Sequence, residues 1–176
     1  MRIDAPWTRS APAEFVWKRL TVRGHRALFV GGAVRNAVLG LPVNDFDVAT
    51  DARPEEVVAA FSEAGVSISA HGILFGTVMV VRDGTPIEIT TFRKDIETDG
   101  RRACVAFSDR IEDDAARRDF TMNAIYAEFD GTLVDPLGGL GDLLERHIRF
   151  VGSARKRILE DRLRMLRLFR FHAHLG

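Results

Sequence analysis

A pair of glycines, Gly31 and Gly32, directly after an apolar run constrains this chain more than any other feature. Residues 27–30, Ala-Leu-Phe-Val, suit a buried strand, and residues 33–39 read as a helix that stops at Gly40. Where a strand turns into a helix through glycines, no Cβ shields the backbone, so N–H groups can approach a ligand closely. The helix N-terminus adds a partial positive charge, which favours a phosphate. By itself a glycine pair signals only a tight turn, and the spacing does not fit the GxGxxG dinucleotide fingerprint.

Shortly after this turn comes Asn44-Asp45-Phe46-Asp47. On a strand spanning 45–49, Asp45 and Asp47 leave the same face about 6.6 Å apart, while Phe46 points into the core. Two carboxylates on one face repel each other unless cations neutralise them. A pair of hard ions about 3.5–4 Å apart would do so, and such a pair serves in-line phosphoryl transfer. Alone, the tripeptide reads most simply as a solvated strand end or helix cap. Glu88, between Ile87 and Ile89, lies on the face opposite both isoleucines. It supplies a third carboxylate if its strand neighbours Asp45 and Asp47, and is otherwise an outward-facing glutamate.

The remaining pattern is that of one α/β (α+β) domain. A helix at 54–61 follows Thr50 or Asp51 as cap, and a hairpin joins 77–81 to 87–92 through Asp83-Gly84. Residues 93–102 are polar and read as a mobile loop. A helix at 112–118, a hairpin of 124–129 and 132–134 around Asp130-Gly131, a short helix at 141–146 and a short strand at 148–151 follow. From Ser153 one long amphipathic helix is expected to reach His174. Its stripe Leu159, Leu163, Leu166 and Phe169 recurs at spacings of 4, 3 and 3. The sequence ends at Leu175-Gly176 with nothing to cover that stripe, so the chain reads as a fragment.

Cys104 is the single cysteine, and the five histidines have no metal-ligand spacing. No apolar stretch approaches the roughly 18 residues of a membrane span, and the N-terminus lacks a secretory pattern, so a cytoplasmic location is expected. Lys+Arg 25 against Asp+Glu 25 leaves no net charge. A self-sufficient RNA binder carries a basic excess, so any grip on RNA is expected to come mostly from a missing C-terminal region. The terminal helix is the exception: Arg155, Lys156, Arg157, Arg162, Arg164, Arg167 and Arg170 outnumber Glu160 and Asp161 there.

The segment GGAVRNAVLGLPVNDFDVAT resembles the signature of the class II branch of polymerase-β-like nucleotidyltransferases, which holds CCA-adding enzymes and bacterial poly(A) polymerases. Three further segments resemble that family in the same order: Arg117-Arg118-Asp119-Phe120-Thr121-Met122-Asn123-Ala124, Asp135-Pro136-Leu137-Gly138-Gly139, and Glu160-Asp161 followed by Arg164. The resemblance runs from about Ala27 to Phe171. It implies an N-terminal extension (1–24), a nucleotidyltransferase head (25–150) with a small mixed sheet flanked by helices, and the start of an all-α neck (151–176). It also implies Asp45 and Asp47 as ligands of two Mg2+ ions, with Glu88 as supporting acid. Gly31, Gly32, Arg35, Arg118, Asp119 and Asn123 would hold the triphosphate and ribose of CTP or ATP, and Asp161 and Arg164 would read the base. On one helix Asp161 and Arg164 would be neighbours, able to imitate a Watson–Crick edge.

The implied reaction adds C and A to the 3′ end of tRNA with release of pyrophosphate. Poly(A) addition is the alternative, but residues 62–75 carry none of the arginines that mark those enzymes. The loop at 93–101 also resembles that of enzymes completing CCA. A non-catalytic nucleotide- or RNA-binding head is a further alternative, which the survival of all three carboxylates opposes. Two positions depart from the family pattern: Asn36 stands where an aspartate is usual, and Phe75 where a histidine is common.

Overall fold

The computed structural model describes residues 1–96 and 104–175. The first half contains α1 (Ala11–Thr21), β1 (Leu28–Val30), α2 (Gly32–Val38), β2 (Asp47–Thr50), α3 (Pro54–Ser62), β3 (Ser67–Ser69), β4 (Thr77–Arg82) and β5 (Thr85–Thr91). The second half contains β6 (Arg93–Ile96), β7 (Cys104–Phe107), α4 (Ile111–Ala116), β8 (Tyr126–Ala127), β9 (Leu133–Val134), α5 (Gly139–Leu144), α6 (Ala154–Glu160) and α7 (Leu163–Leu175). No helix among the described residues is long and apolar enough to cross a membrane.

Seven strands make one mixed sheet in the order β3-β4-β5-β2-β1-β8-β9. Its neighbours run antiparallel except β2 and β5, which are parallel. The parallel pair needs a crossover, and the chain makes it through α3, β3 and β4. Both hairpins form where the Asp-Gly pairs predict them; Asp83 and Gly84 adopt φ of 51° and 78°, as a primed turn requires.

Alternation along the strands splits the core in two. Phe29, Val48, Val78, Val80, Ile87 and Ile89 pack on one face against Val16 and Leu20 of α1, Val34 of α2, and Val57 and Phe61 of α3. On the other face Leu28, Val30, Ala49, Phe92 and Tyr126 are covered by Ile111 and Ala115 of α4. The second cover is partial. It leaves Asp47 and Glu88 at the surface, while their neighbours Val48, Ile87 and Ile89 are buried.

The expected single helix from Ser153 to His174 is broken in two. Asp161 adopts extended dihedrals (φ −149°, ψ 107°), and its carboxylate accepts the Leu163 N–H at 2.9 Å. A short acidic side chain that bonds the backbone two residues on competes with helix continuation. The stripe Leu159, Leu163, Leu166 and Phe169 is exposed, as expected. A different edge of α7 is buried: Phe171 meets Phe120 at 5.6 Å, and Phe120 meets Phe150 at 4.7 Å.

Three smaller expectations also change. Residues 148–151 make only an isolated bridge, Phe120 to Phe150, because the chain turns away at Gly152 with φ of 67°. The polar stretch 93–102 is in part a strand, since Arg93–Ile96 pairs with Cys104–Phe107; residues 97–102 lie outside the described residues. Neither Thr50 nor Asp51 caps α3. Thr50 accepts from Ala52 N–H and Asp51 from Arg26 N–H, while Glu56 accepts from Arg53 N–H at the helix start.

Gly139 opens α5 where it crosses the turn Thr121–Asn123, and a Cβ there would stand 2.2 Å from the Thr121 carbonyl oxygen. A Cβ on Gly141, in the same helix, would meet nothing within 4 Å. Gly139→Ala is therefore expected to destabilise the fold by about 1–3 kcal/mol, and Gly141→Ala to be neutral or stabilising by about 0.5–1 kcal/mol. Thermal unfolding of the two variants checks this, and equal melting temperatures would contradict it.

Candidate active site

The three carboxylates come together through strand register. Val30 pairs with Asp47 across β1–β2, and Asp47 pairs with Glu88 across β2–β5. Residues paired in this way share a face, so Asp47 and Glu88 project side by side from the uncovered part of the sheet. Asp45 precedes β2 rather than lying in it, but the alternation runs through it: Asp45 and Asp47 are exposed and Phe46 is buried. Phe46 is fixed in the core by Phe29 at 5.4 Å and Trp7 at 5.7 Å, which holds its two acidic neighbours outward.

Although Asp47 reaches the surface, its carboxyl sits low against the sheet and is partly shielded from water; that desolvation, then Glu88 and Asp45, pushes it up to about 6, against an opposing pull from Arg118. Like charges held close disfavour ionisation, and a bound cation would reverse that. Among the described residues no three His, Cys, Asp or Glu side chains form a ready-made metal cage. Carboxylates on one open face instead suit magnesium, which binds through one or two carboxylates plus water and phosphate oxygens.

Next to Asp47, the turn from β1 into α2 is as the sequence predicts. Gly31 has φ 76° and ψ −131°, which only glycine adopts without strain. A Cβ on Gly31 would lie 3.9 Å from Arg118 Nη1, and one on Gly32 would lie 3.7 Å from Arg35 Nη2. Two guanidiniums thus flank the bare backbone of this turn.

Arg35 is held by side-chain oxygens. Its Nη1 donates to Asn123 Oδ1 at 2.7 Å, and its Nη2 and Nε donate to Asn36 Oδ1 at 2.9 and 3.3 Å. Asn36 therefore still orients Arg35, and its own amide donates to the Pro42 carbonyl. Burial, then the Arg170 charge, lowers the Arg35 pKa. Asp119 accepts from Phe120 N–H and Asn123 Nδ2 and pairs with Arg167 Nη1 at 3.3 Å. Arg35, Asn123 and Asp119 form one connected cluster.

Asp161 and Arg164 are not brought together as a helix pair, because the helix breaks at Asp161. Arg164 Nη1 donates to Glu160 Oε2 at 2.6 Å and to the Arg157 carbonyl. Arg117, Asp114 and Tyr126 adjoin the site behind Arg118. Asp114 and Tyr126 have no sequence signal apart from their nearness to Arg117-Arg118.

A family model described as the poly A polymerase head domain matches residues 27–149. The CCA-adding enzyme of Geobacillus thermodenitrificans is 47% identical over 90% of this chain and 39% of that protein. That of Lacticaseibacillus paracasei is 42% identical over the whole chain and 44% of its own length. The crystal structure of the Bacillus stearothermophilus CCA-adding enzyme in complex with CTP superposes with a TM-score of 0.80 at 44% identity, covering 92% of this chain and 39% of that one. A tRNA nucleotidyltransferase complexed with a primer tRNA and an incoming ATP analog gives 0.69 at 30% identity, covering 89% and 44%. The chain spans about two fifths of the length of these relatives. With the family match covering the glycine turn, all three carboxylates and the Arg118–Asn123 segment, this chain belongs to the poly A polymerase head-domain family of nucleotidyltransferases.

Proposed function

We propose that the protein completes the 3′ end of tRNA with C and A, taking nucleotidyl groups from CTP and ATP and releasing pyrophosphate. The observation that carries this reading is the placement of Asp47 opposite Glu88 on an open sheet face beside the Gly31–Gly32 turn. The CCA-adding relatives, one with CTP bound, support it.

Asp45 and Asp47 would hold two magnesium ions, which supply a lowered pKa for the attacking 3′-hydroxyl and neutralise the leaving oxygens. Glu88 adds negative charge beside Asp47. Arg118 and Arg35 draw the triphosphate onto the glycine turn, where backbone N–H groups meet it. Asp119 and Asn123 would accept from and donate to ribose hydroxyls. Asp161 and Arg164 read the base edge through the atoms that their present hydrogen bonds leave open. The N-terminal segment and α1 serve as an extension that completes the head, and residues 151–176 begin a helical neck. The balanced charge of the chain leaves most of the grip on the tRNA body to other parts of the protein, in the cytoplasm where tRNA is processed.

The family description favours a second reading, poly(A) addition. One assay separates the two: labelled CTP or ATP offered to tRNA lacking its 3′ end, with and without magnesium. Magnesium-dependent products ending in CCA are expected; an A tract alone selects the second reading, and no addition defeats both. Asp47→Ala should lower the rate by roughly 10²–10³-fold or more. Arg164→Ala should admit UTP and GTP while chemistry continues.

The raised pKa of Asp47 has a signature in the absence of metal. Its folded-state value, about 6, exceeds its ordinary 3.8. Its favourable share of stability is therefore full below pH 3.8 and lost as pH rises through about 6. Asp47→Asn should melt higher than the parent in chelator at pH 7.5, with the gain disappearing toward pH 4. A gain that does not change with pH would show that like-charge repulsion and burial are not its source.

A further inference from the structure

Behind Arg118 lies a buried group that the reaction outlined above does not use. Asp114, on α4, is 1% exposed. Its Oδ1 accepts from Arg117 Nε and Nη2 at 2.9 and 2.7 Å. Its Oδ2 accepts from Arg118 Nε and Nη2 at 3.2 and 2.8 Å and from the Tyr126 hydroxyl at 2.7 Å. The same hydroxyl accepts from Arg118 Nε at 3.1 Å, and the Arg118 guanidinium stands 5.3 Å from the Tyr126 ring centre. Tyr126 is fully buried on β8, paired with Val30, the residue before the glycine turn.

These bonds occupy one edge of the Arg118 guanidinium. The remaining nitrogen, Nη1, has no hydrogen bond to any described residue, and it is the atom 3.9 Å from the Cβ position of Gly31. We propose that Asp114 is a positioning residue for nucleotide binding: with Tyr126 it holds Arg118 so that Nη1 faces the Gly31–Gly32 turn and meets the phosphates of a nucleoside triphosphate. This rests on Arg118 being a triphosphate contact.

Energetics favour orientation over bulk stability as the role of this cluster. Burying charges costs desolvation that offsets most of their attraction, so such a cluster is a poor source of stability. It does fix a guanidinium plane, and that is what bidentate phosphate recognition needs. Behind Arg118, away from the Asp47–Glu88 face, the arginines also outnumber the carboxylate that bonds them. Burial would raise the Asp114 pKa, but Arg118 and Arg117 overcome this and keep it below the ordinary range. Nearby Arg93 has buried Nε and Nη1 atoms without a partner among the described residues, and burial, then Arg117, lowers its pKa to about 10. One carboxylate bonds two arginines while a third presses on them, so an arriving anion is favoured.

The test measures CTP and inorganic tripolyphosphate binding in magnesium for the full protein and for Asp114→Asn, Tyr126→Phe, Arg118→Ala and the double variant Tyr126→Phe/Arg118→Ala, alongside thermal unfolding. Asp114→Asn leaves an amide nitrogen facing one arginine. It is expected to weaken both ligands about 10-fold or more, roughly the loss of one hydrogen bond to a charged group. In catalysis the effect should fall on KM for the nucleotide rather than on kcat. Tyr126→Phe should weaken both ligands less, and its effect should vanish in the Arg118→Ala background, which a purely structural role would not produce. If Asp114→Asn does not fold, the Tyr126→Phe cycle decides. Arg118→Ala with unchanged affinity would remove the contact on which the proposal rests. Weakened Arg118→Ala beside folded Asp114→Asn and Tyr126→Phe proteins of parental affinity would overturn the positioning role alone.

Discussion

One parallel pairing, β2 beside β5, decides where the chemistry of this molecule can lie. Every other neighbour in the seven-stranded sheet is antiparallel. The pairing sets Asp47 level with Glu88 and makes the chain spend α3, β3 and β4 on the return path. Its register is pinned by burial: Val48 and Ile89 pair one step along and face the opposite side, into the larger core. A slip of one residue would exchange Glu88 for a buried isoleucine. Burial of those aliphatic side chains, each about 1.5–3 kcal/mol, thus sets the position of two carboxylates whose mutual repulsion opposes the arrangement.

That repulsion is left standing rather than cancelled within the chain. Asp47 has no hydrogen-bonded cation among the described residues, and its carboxyl is pushed up to about 6. Asp114, a few residues from the same site, has two guanidiniums. The contrast shows the division of labour. Asp114 is fully paired and buried, whereas Asp45, Asp47 and Glu88 are kept together and exposed, with only the charge of Arg118 acting against the rise at Asp47. Asp119 is the intermediate case, buried and bonded to Asn123 and to the exposed Arg167.

The local elements that position the site were largely legible in the sequence, because their signals are short-range. The glycine turn, the Asp-Gly hairpins and the placement of Asp45, Phe46 and Asp47 follow from backbone freedom and period-two burial. The β2–β5 neighbourhood was not legible, since periodicity assigns faces but never partners; Glu88 could only be conditional. The ribbon of β6 and β7 was hidden because β6, Arg93–Ile96, is polar and its apolar partner Cys104–Phe107 is only four residues long. Phe107 instead anchors it by packing where a Cβ on Gly76 would stand, 2.9 Å away. The helix break at Asp161 was hidden because the apolar spacing of 159, 163, 166 and 169 continues across it. A hydrophobic stripe reports period, and one capping side chain can interrupt the backbone without disturbing that period.

The break has a structural consequence for the site. α6 is tied back to the head by Arg157, which bonds the Ala116 and Val151 carbonyls and pairs with Glu160. α7 is tied to it separately, through Arg167 on Asp119, Phe171 on Phe120, and Arg35 4.9 Å above the Phe171 ring. Each half therefore has its own anchor, and the anchors of α7 are Asp119 and Arg35 of the connected cluster and Phe120 beside them. An aromatic contact of this kind contributes about 0.5–1.5 kcal/mol beyond area burial, and the exposed Arg167 ion pair adds about 0–1 kcal/mol. Burial of Phe171 and Leu175 in the larger core and a bond from Arg146 Nη1 to the Leu175 carbonyl add to these, so α7 is fixed on the head beside the Arg35–Asn123–Asp119 cluster.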